Sequence, residues 1–486
     1  MPPIIIKGLI GLLILLTLSA LAAIVVYLTT KIKSAKWWLP VLMGSALTGI
    51  TLMFLQNKSV FFKEEAVAPA LIHSIKQQLF HKDLDAGFIK KNFVLVNSAA
   101  NPMLVNANEG MDEDSIRHVI ADRHMLQRLL HFLNTHRDAF TLLACDIVFT
   151  DSSRYDAGLL EELKQLSEKN KLVLGYNHDL ASQYPSFYNQ VGPGCLGDIT
   201  KVKDESFYFS HHLLSANGYL SFPYLMNLKI KGIQPRLTDV KVHEGSQTVF
   251  QAFIPEFFFT NESQLYTDSL QAAEREQLYT NPDTTLTAVG PSLLYTLGAL
   301  SGKFGQQELL ERLQGGRNQS MNIIFIGNFS DPYTDRHATA YGTLYGTTIL
   351  LNDFFYIYQG YYKMNNLELA AYIGILFFCY SAIFLFIIHH CLKSSRPITN
   401  STKKKALKDW LIITGQFAVN EIHFVFLFLT VFIVDLLFHK IINLMGLLYI
   451  FAPFTGLLKF FLKHLPDFLK DEKIIPRYAA TDGLRL

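Results

Sequence analysis

Cysteine is scarce, with four in 486 residues, at 145, 195, 379 and 391. Their spacing fits no zinc or dithiol motif, so a fold built on disulfides is excluded. At most one bridge, Cys145 to Cys195, remains open outside the apolar segments. Charge is also short, at 17% of residues against about 25% in soluble domains. Lys and Arg total 43 against 41 Asp and Glu, a net charge of +2, which leaves no general positive field to argue for nucleic acid. Internal repeats and low-complexity tracts are absent. The central polar stretch contains no nucleophile elbow, Gly-rich phosphate loop or His-Glu-x-x-His zinc motif, so it names no catalytic residue, metal or cofactor. What is abundant is apolar: 50% hydrophobic residues, 38 Phe and 22 Tyr, and a mean hydropathy of +0.21. Part of such a chain belongs in lipid.

A membrane helix needs about 20 mostly apolar residues. Five stretches qualify: about Gly8–Thr30, Trp37–Leu55, Leu367–His390, Ile412–Leu437 and Ile441–Phe461. The first is longer than the apolar run of a signal peptide and a second span follows at once, which favours an anchor over a cleaved leader. Short cytoplasmic loops are rich in Lys and Arg. Lys31, Lys33 and Lys36 fill one loop, and Lys393, Arg396, Lys403, Lys404, Lys405 and Lys408 fill another. Placing both inside puts the polar interval outside. The expected organisation is two membrane helices over 1–56, an extracytoplasmic domain over 57–366, three helices over 367–463, and a short cytoplasmic tail over 464–486. Gln416, Asn420, Glu421 and His423 place polar groups within or beside the fourth span, facing a partner helix or the headgroups.

The polar interval reads as α/β. Phe93–Asn97, Leu142–Phe149, Lys171–Tyr176 and Met321–Gly327 are continuous apolar runs separated by helical periodicity, as in a mostly parallel sheet covered by helices. Helices are expected over Ser115–His136, over Asp156–Asn170 with Asp156 as its cap, and over Ser292–Gly298 and Gln306–Leu313. The middle, about Gly192–Phe259, reads as hairpins and loops, with Gly192–Gly197 as a turn. His211-His212 would point to opposite faces of a strand and is read as solvated.

At Ile324-Phe-Ile-Gly327 the chain leaves a strand and enters Asn328-Phe-Ser-Asp-Pro-Tyr-Thr-Asp-Arg-His-Ala-Thr-Ala-Tyr-Gly342. The order Ile326, Gly327, Asp335, Thr339, Gly342, Gly346, Asn352 resembles the C-terminal signature of the CHASE type two domain, an extracytoplasmic sensory module of bacteria. Phe93–Val96, Asp122-Arg123, Asp146–Phe149 and Asp156 are similar to its N-terminal half. The resemblance covers about Phe62–Tyr362. Asn97-Ser98 replaces an acidic residue common after the first strand, and Thr339-Ala340 replaces Thr-Pro. The resemblance implies a bacterial inner-membrane sensory protein, without enzymatic activity and lacking the family's usual cytoplasmic output domain. It would detect an extracytoplasmic ligand or envelope partner and signal through its membrane helices to a separate membrane or cytoplasmic protein. Homo-oligomerisation is compatible with this reading. A structural subunit of an envelope complex and a membrane-anchored hydrolase using rim carboxylates are the alternatives.

Ligands of parallel α/β sheets bind outside the carboxyl ends of the strands. Asn97, Asp146, Asp151, Tyr176 and Asn328 are therefore expected on one rim. Asp335, Arg336 and His337, a polar run between glycine-rich turns, are expected to present donors and acceptors there on a loop. The candidate ligand-binding set is Asp335, Arg336, His337, Asn328, Asp146 and Asn97.

Overall fold

The computed structural model describes residues 88–89, 92–99, 102–106, 117–150, 152–200, 202–204, 207–238, 241–253, 257, 294–315, 321–329, 336–339 and 342–394, together with 41, 44–49, 430 and 433. The chain divides into two compact units, Ala66–Met364 and Met1–Glu65 with Asn365–Leu486. Asp335, Asp151, the first and fifth spans, most of the second and fourth, the Lys393–Lys408 loop beyond Ser394, Gln416, Asn420, Glu421, His423 and the tail lie outside the described residues.

In Ala66–Met364 a parallel sheet of six strands forms the centre, in the order β13-β1-β14-β4-β5-β6. These strands are β1 (Phe93–Asn97), β4 (Leu142–Cys145), β5 (Leu172–Tyr176), β6 (Leu196–Asp198), β13 (Leu294–Thr296) and β14 (Ile323–Gly327). Alternate residues of a strand face opposite sides, and here both sides are dry. Val94, Val96, Leu143, Cys145, Ile324 and Ile326 pack on one face with α1 (Arg123–Thr135), α2 (Asp156–Glu168), α4 (Leu297–Ser301) and α5 (Lys303–Gly315). Phe93, Leu95, Leu142, Ala144, Ile323 and Phe325 pack on the other with α3 (Phe222–Lys231) and α6 (Gly346–Tyr358). Two buried faces explain why the strands read as unbroken apolar runs.

Helix α6 is buried from Gly346 to Ile357 because it is covered twice. Its Leu350, Leu351, Phe354 and Phe355 meet the sheet, while Tyr356 and Ile357 join Tyr224, Leu228, Val242 and Phe253 on the far side. There the chain forms a second sheet, β12-β8-β15-β16 with β7 beside β8. Its strands are β7 (Val202–Asp204), β8 (Phe207–His212), β12 (Ala252–Phe253), β15 (Arg336–Thr339) and β16 (Gly342–Tyr345).

Several expected elements are corrected. Ser115–His136 is not one helix: β3 (Arg117–Ala121) pairs antiparallel with β2 (Pro102–Asn106). Asp122 then caps α1 by accepting from the Met125 amide at 3.0 Å. Val119 and Ile120 sit at spacings that suit a helix face, and their β-branched preference for strands decides. β4 ends at Cys145 rather than at Phe149, and just past its end the Asp146 side chain accepts from the Thr347 hydroxyl. Gly192–Gly197 holds a 3-10 turn and the first residues of β6, and Leu294–Thr296 is an edge strand rather than the start of a helix. The middle also holds α3, which a helix of mostly large apolar side chains concealed. Cys145 and Cys195 are both free and buried.

In the other unit, α7 (Asn366–Ser394) is long and apolar enough to cross a membrane, and among the described residues it is the one helix that is. Its best window, Asn366–Ile383, has a mean hydropathy of 1.5. At about 1.5 Å per residue it exceeds the ~30 Å hydrocarbon thickness. A reciprocal cap starts it: the Asn365 amide donates to Glu368 and the Glu368 amide to Asn365, both at 2.9 Å, the arrangement of a capping box. Leu367 and Phe378 turn outward, 81% and 73% exposed. Residues 44–49 are helical, and Gly44 lies so close to Ser381 that a Cβ would collide with it.

Candidate functional site

The carboxyl ends of β1, β14 and β4 lie side by side, and three expected residues meet there. The Asn97 carboxamide oxygen accepts from the amides of Ala99 and Phe329, each at 3.2 Å. The Ser98 amide donates to the Gly327 carbonyl at 2.9 Å, and that of Asp146 to Ile326 at 2.7 Å. Thr347, at the start of α6, joins the other two. Its hydroxyl donates to Asp146 Oδ2 at 2.7 Å and accepts from the Asn328 amide at 3.0 Å. Gly327 has to be glycine because a Cβ there would overlap the Thr347 side chain.

Asn97 is fully buried, so its contribution is to tie two strand ends together. Asp146 and Asn328 are half-buried and reach the surface. Asp146 also places a negative charge at the positive end of α6, where a helix dipole favours it. The rim thus offers a carboxylate held in place by Thr347 with the half-buried Asn328 beside it, groups suited to recognition by hydrogen bonding. Tyr176, at the end of β5, packs its ring against Tyr219 and Tyr188 at centroid distances of 4.5 and 5.3 Å.

Arg336 and His337 differ from expectation. They open β15 and belong to the second sheet, pairing with Tyr345 and Leu344 rather than lying on a loop. The pairing of β15 with β16 is antiparallel, and along a strand alternation sends neighbours to opposite faces. Arg336 is exposed, with its guanidinium 4.9 Å from the Tyr345 ring centroid.

Two polar clusters went unrecognised in the sequence. Arg123 donates to both oxygens of Asp156 at 2.6 and 2.8 Å, with both residues buried. The Ser153 amide and the Tyr184 hydroxyl also bond Asp156, at 2.8 and 2.9 Å. Asp156 is thus the first residue of α2, and Tyr155 occupies the cap position. The Asp-Arg and Asp positions quoted for the resemblance were the available signal, without their pairing. In the second cluster, Glu244 accepts from Tyr224 at 2.6 Å, Tyr362 at 2.5 Å and Lys363 at 2.8 Å. Burial pushes the Glu244 carboxyl up, but the bonds from Lys363, Tyr224 and Tyr362 outweigh it and hold the carboxyl below its ordinary value. Burial, and after it the same carboxylate, raises both tyrosines. β17 (Lys363–Met364) pairs with β11 (Thr248–Val249) beside this cluster.

Comparison with known protein families, characterised proteins and solved structures finds no match for this chain.

Proposed function

We propose that this chain is a membrane-anchored sensory protein of the CHASE type two kind. Its α/β domain meets an extracytoplasmic ligand or envelope partner at the rim and passes its state to the membrane helices, and through them to a separate protein. The rim supplies Asn97, Asp146 and Asn328, with Asp335, Arg336 and His337 as the neighbouring recognition set. The membrane part is five helices in the bacterial inner membrane, with the polar interval outside.

One observation carries this reading: the last residues before α7 are stapled into the domain. β17 is paired with β11, and Lys363 and Tyr362 share the buried Glu244 carboxylate with Tyr224 of α3. Helix α3 packs on the same sheet face as α6, whose first turn holds the rim. A change at the rim therefore has a packed route to the chain segment that enters α7. The close approach of Gly44 to Ser381 is of the small-residue kind that packs helices in lipid.

Two measurements test the reading. In intact cells, an impermeant thiol reagent should label a cysteine placed at Ser263 and spare one placed at Ser401. The reverse pattern would overturn the orientation. In hydrogen exchange on the purified chain, Glu244→Gln should raise uptake in the first turn of α7 as well as around residues 241–249. A change confined to the domain would break the proposed route.

A further inference from the structure

Away from the rim, residues of three elements meet in the interior. His211 lies in β8, Ser221 directly precedes α3, and Asp353 lies in α6. His211 Nδ1 is 2.9 Å from Asp353 Oδ2, and His211 Nε2 is 2.9 Å from Ser221 Oγ. The three are 7%, 4% and 0% exposed, so His211 is not the solvated residue expected from its sequence. A carboxylate, an imidazole and a hydroxyl joined in this order form the relay that turns a serine into a nucleophile. With Nδ1–H donating to the carboxylate, Nε2 is left as the acceptor for the serine proton.

The helix start gives an independent reason to assign chemistry. A serine at this position normally accepts from an amide of the helix's first turn. Ser221 makes no such bond, and the second helical position is Pro223, which has no N–H. Its hydroxyl is turned to His211 instead. The Ser221 amide is used by the Leu213 carbonyl at 2.9 Å. The first-turn amides of Phe222 and Tyr224 stand at the positive end of α3, which Ser221 directly precedes, and a helix start of this kind stabilises negative charge such as that on an attacked carbonyl oxygen.

We propose that Ser221, His211 and Asp353 form an acyl-transfer centre for short acyl esters, acetyl esters above all. The burial of the hydroxyl and the Phe253 ring against His211, with centroids 5.5 Å apart, limit the acyl group to a short one. Ser221 Oγ attacks the ester carbonyl carbon while His211 Nε2 takes its proton. The ester C–O bond then breaks, and the departing alcohol oxygen receives that proton. Water attacks the acyl-serine in turn, gives a proton to His211, and the carboxylic acid leaves as Ser221 regains its hydrogen. Asp353 holds the imidazole and balances its transient charge. This proposal stands apart from the sensory reading, because neither the rim nor α7 takes part.

The test uses the whole 486-residue chain in mild detergent, with methanesulfonyl fluoride, whose transferred group is close to acetyl in size, and p-nitrophenyl acetate as probes. Peptide mass spectrometry should find Ser221 as the methanesulfonylated residue. Turnover of the acetate should fall about 10²–10⁴-fold in Ser221→Ala and His211→Gln, and the octanoate ester should react more slowly than the acetate in the wild type. Ser221→Ala removes only a hydroxyl, so its melting temperature reports directly on folding even where His211→Gln is unstable. A folded wild-type chain whose Ser221 stays unmodified, or acetate turnover equal in wild type and a folded Ser221→Ala, overturns the proposal.

Discussion

The buried carboxylates of Glu244 and Asp156 are each met by several partners, and acid should reveal the first. The Glu244 carboxyl is held below its ordinary value in the folded state. Its contribution is therefore complete above the unfolded value of about 4.3 and is lost as pH falls through the lower folded value. Glu244→Gln should cost about 3–5 kcal/mol near neutrality, the usual loss when one partner of a buried pair is removed. The gap in denaturant midpoint between wild type and variant should hold from pH 7 to 5 and narrow below. A gap that widens in acid would mean that Glu244 is buried protonated. Asp156→Asn should likewise cost about 3–5 kcal/mol, because it strands the Arg123 guanidinium, and Arg123→Met in the same chain should recover much of the loss. Both residues were visible in the sequence as helix-start positions. Their bond was not, since they lie 33 residues apart and no local spacing encodes such a contact.

Strands were the most legible elements. Unbroken apolar runs bounded by polar turns located β1, β4, β5 and β14, because each must bury both faces. Where one face is shared or an edge is short, the pattern failed: β3 looked helical, β13 looked like a helix start, and β6 hid behind glycines. The rim was legible in part. Asn97, Asp146 and Asn328 follow from strand ends alone, whereas Thr347 belongs to a helix and reaches the rim only through the fold. Gly327 makes that junction testable. Gly327→Ala should destabilise by about 1–3 kcal/mol through overpacking against Thr347. Adding Thr347→Ser removes the crowding methyl while keeping the hydroxyl for Asp146, and should return part of the loss in urea melts. No rescue would leave the strain with the hydroxyl, whose oxygen a Cβ at 327 would meet at 2.6 Å.

At the scale of the molecule, Ala66–Met364 forms a compact unit of its own. Expressed alone, residues 66–364 should unfold in one transition, with near- and far-ultraviolet dichroism coinciding. Separate transitions would show that the two sheets melt independently. The strand order also imposes a schedule on synthesis. β14 fills the gap between β1 and β4, yet its end meets Asn97 across 232 residues of chain. Until residue 327 has been made, β1 and β4 lack their shared neighbour, and each has an open edge of the kind that recruits other chains. Such long-range pairing is intrinsically slow to form. A nascent chain stalled at residue 320 should be digested rapidly by protease, and one stalled far enough beyond residue 364 to clear the exit tunnel should resist. The domain's most central strand is thus also the one that decides when a growing chain becomes safe.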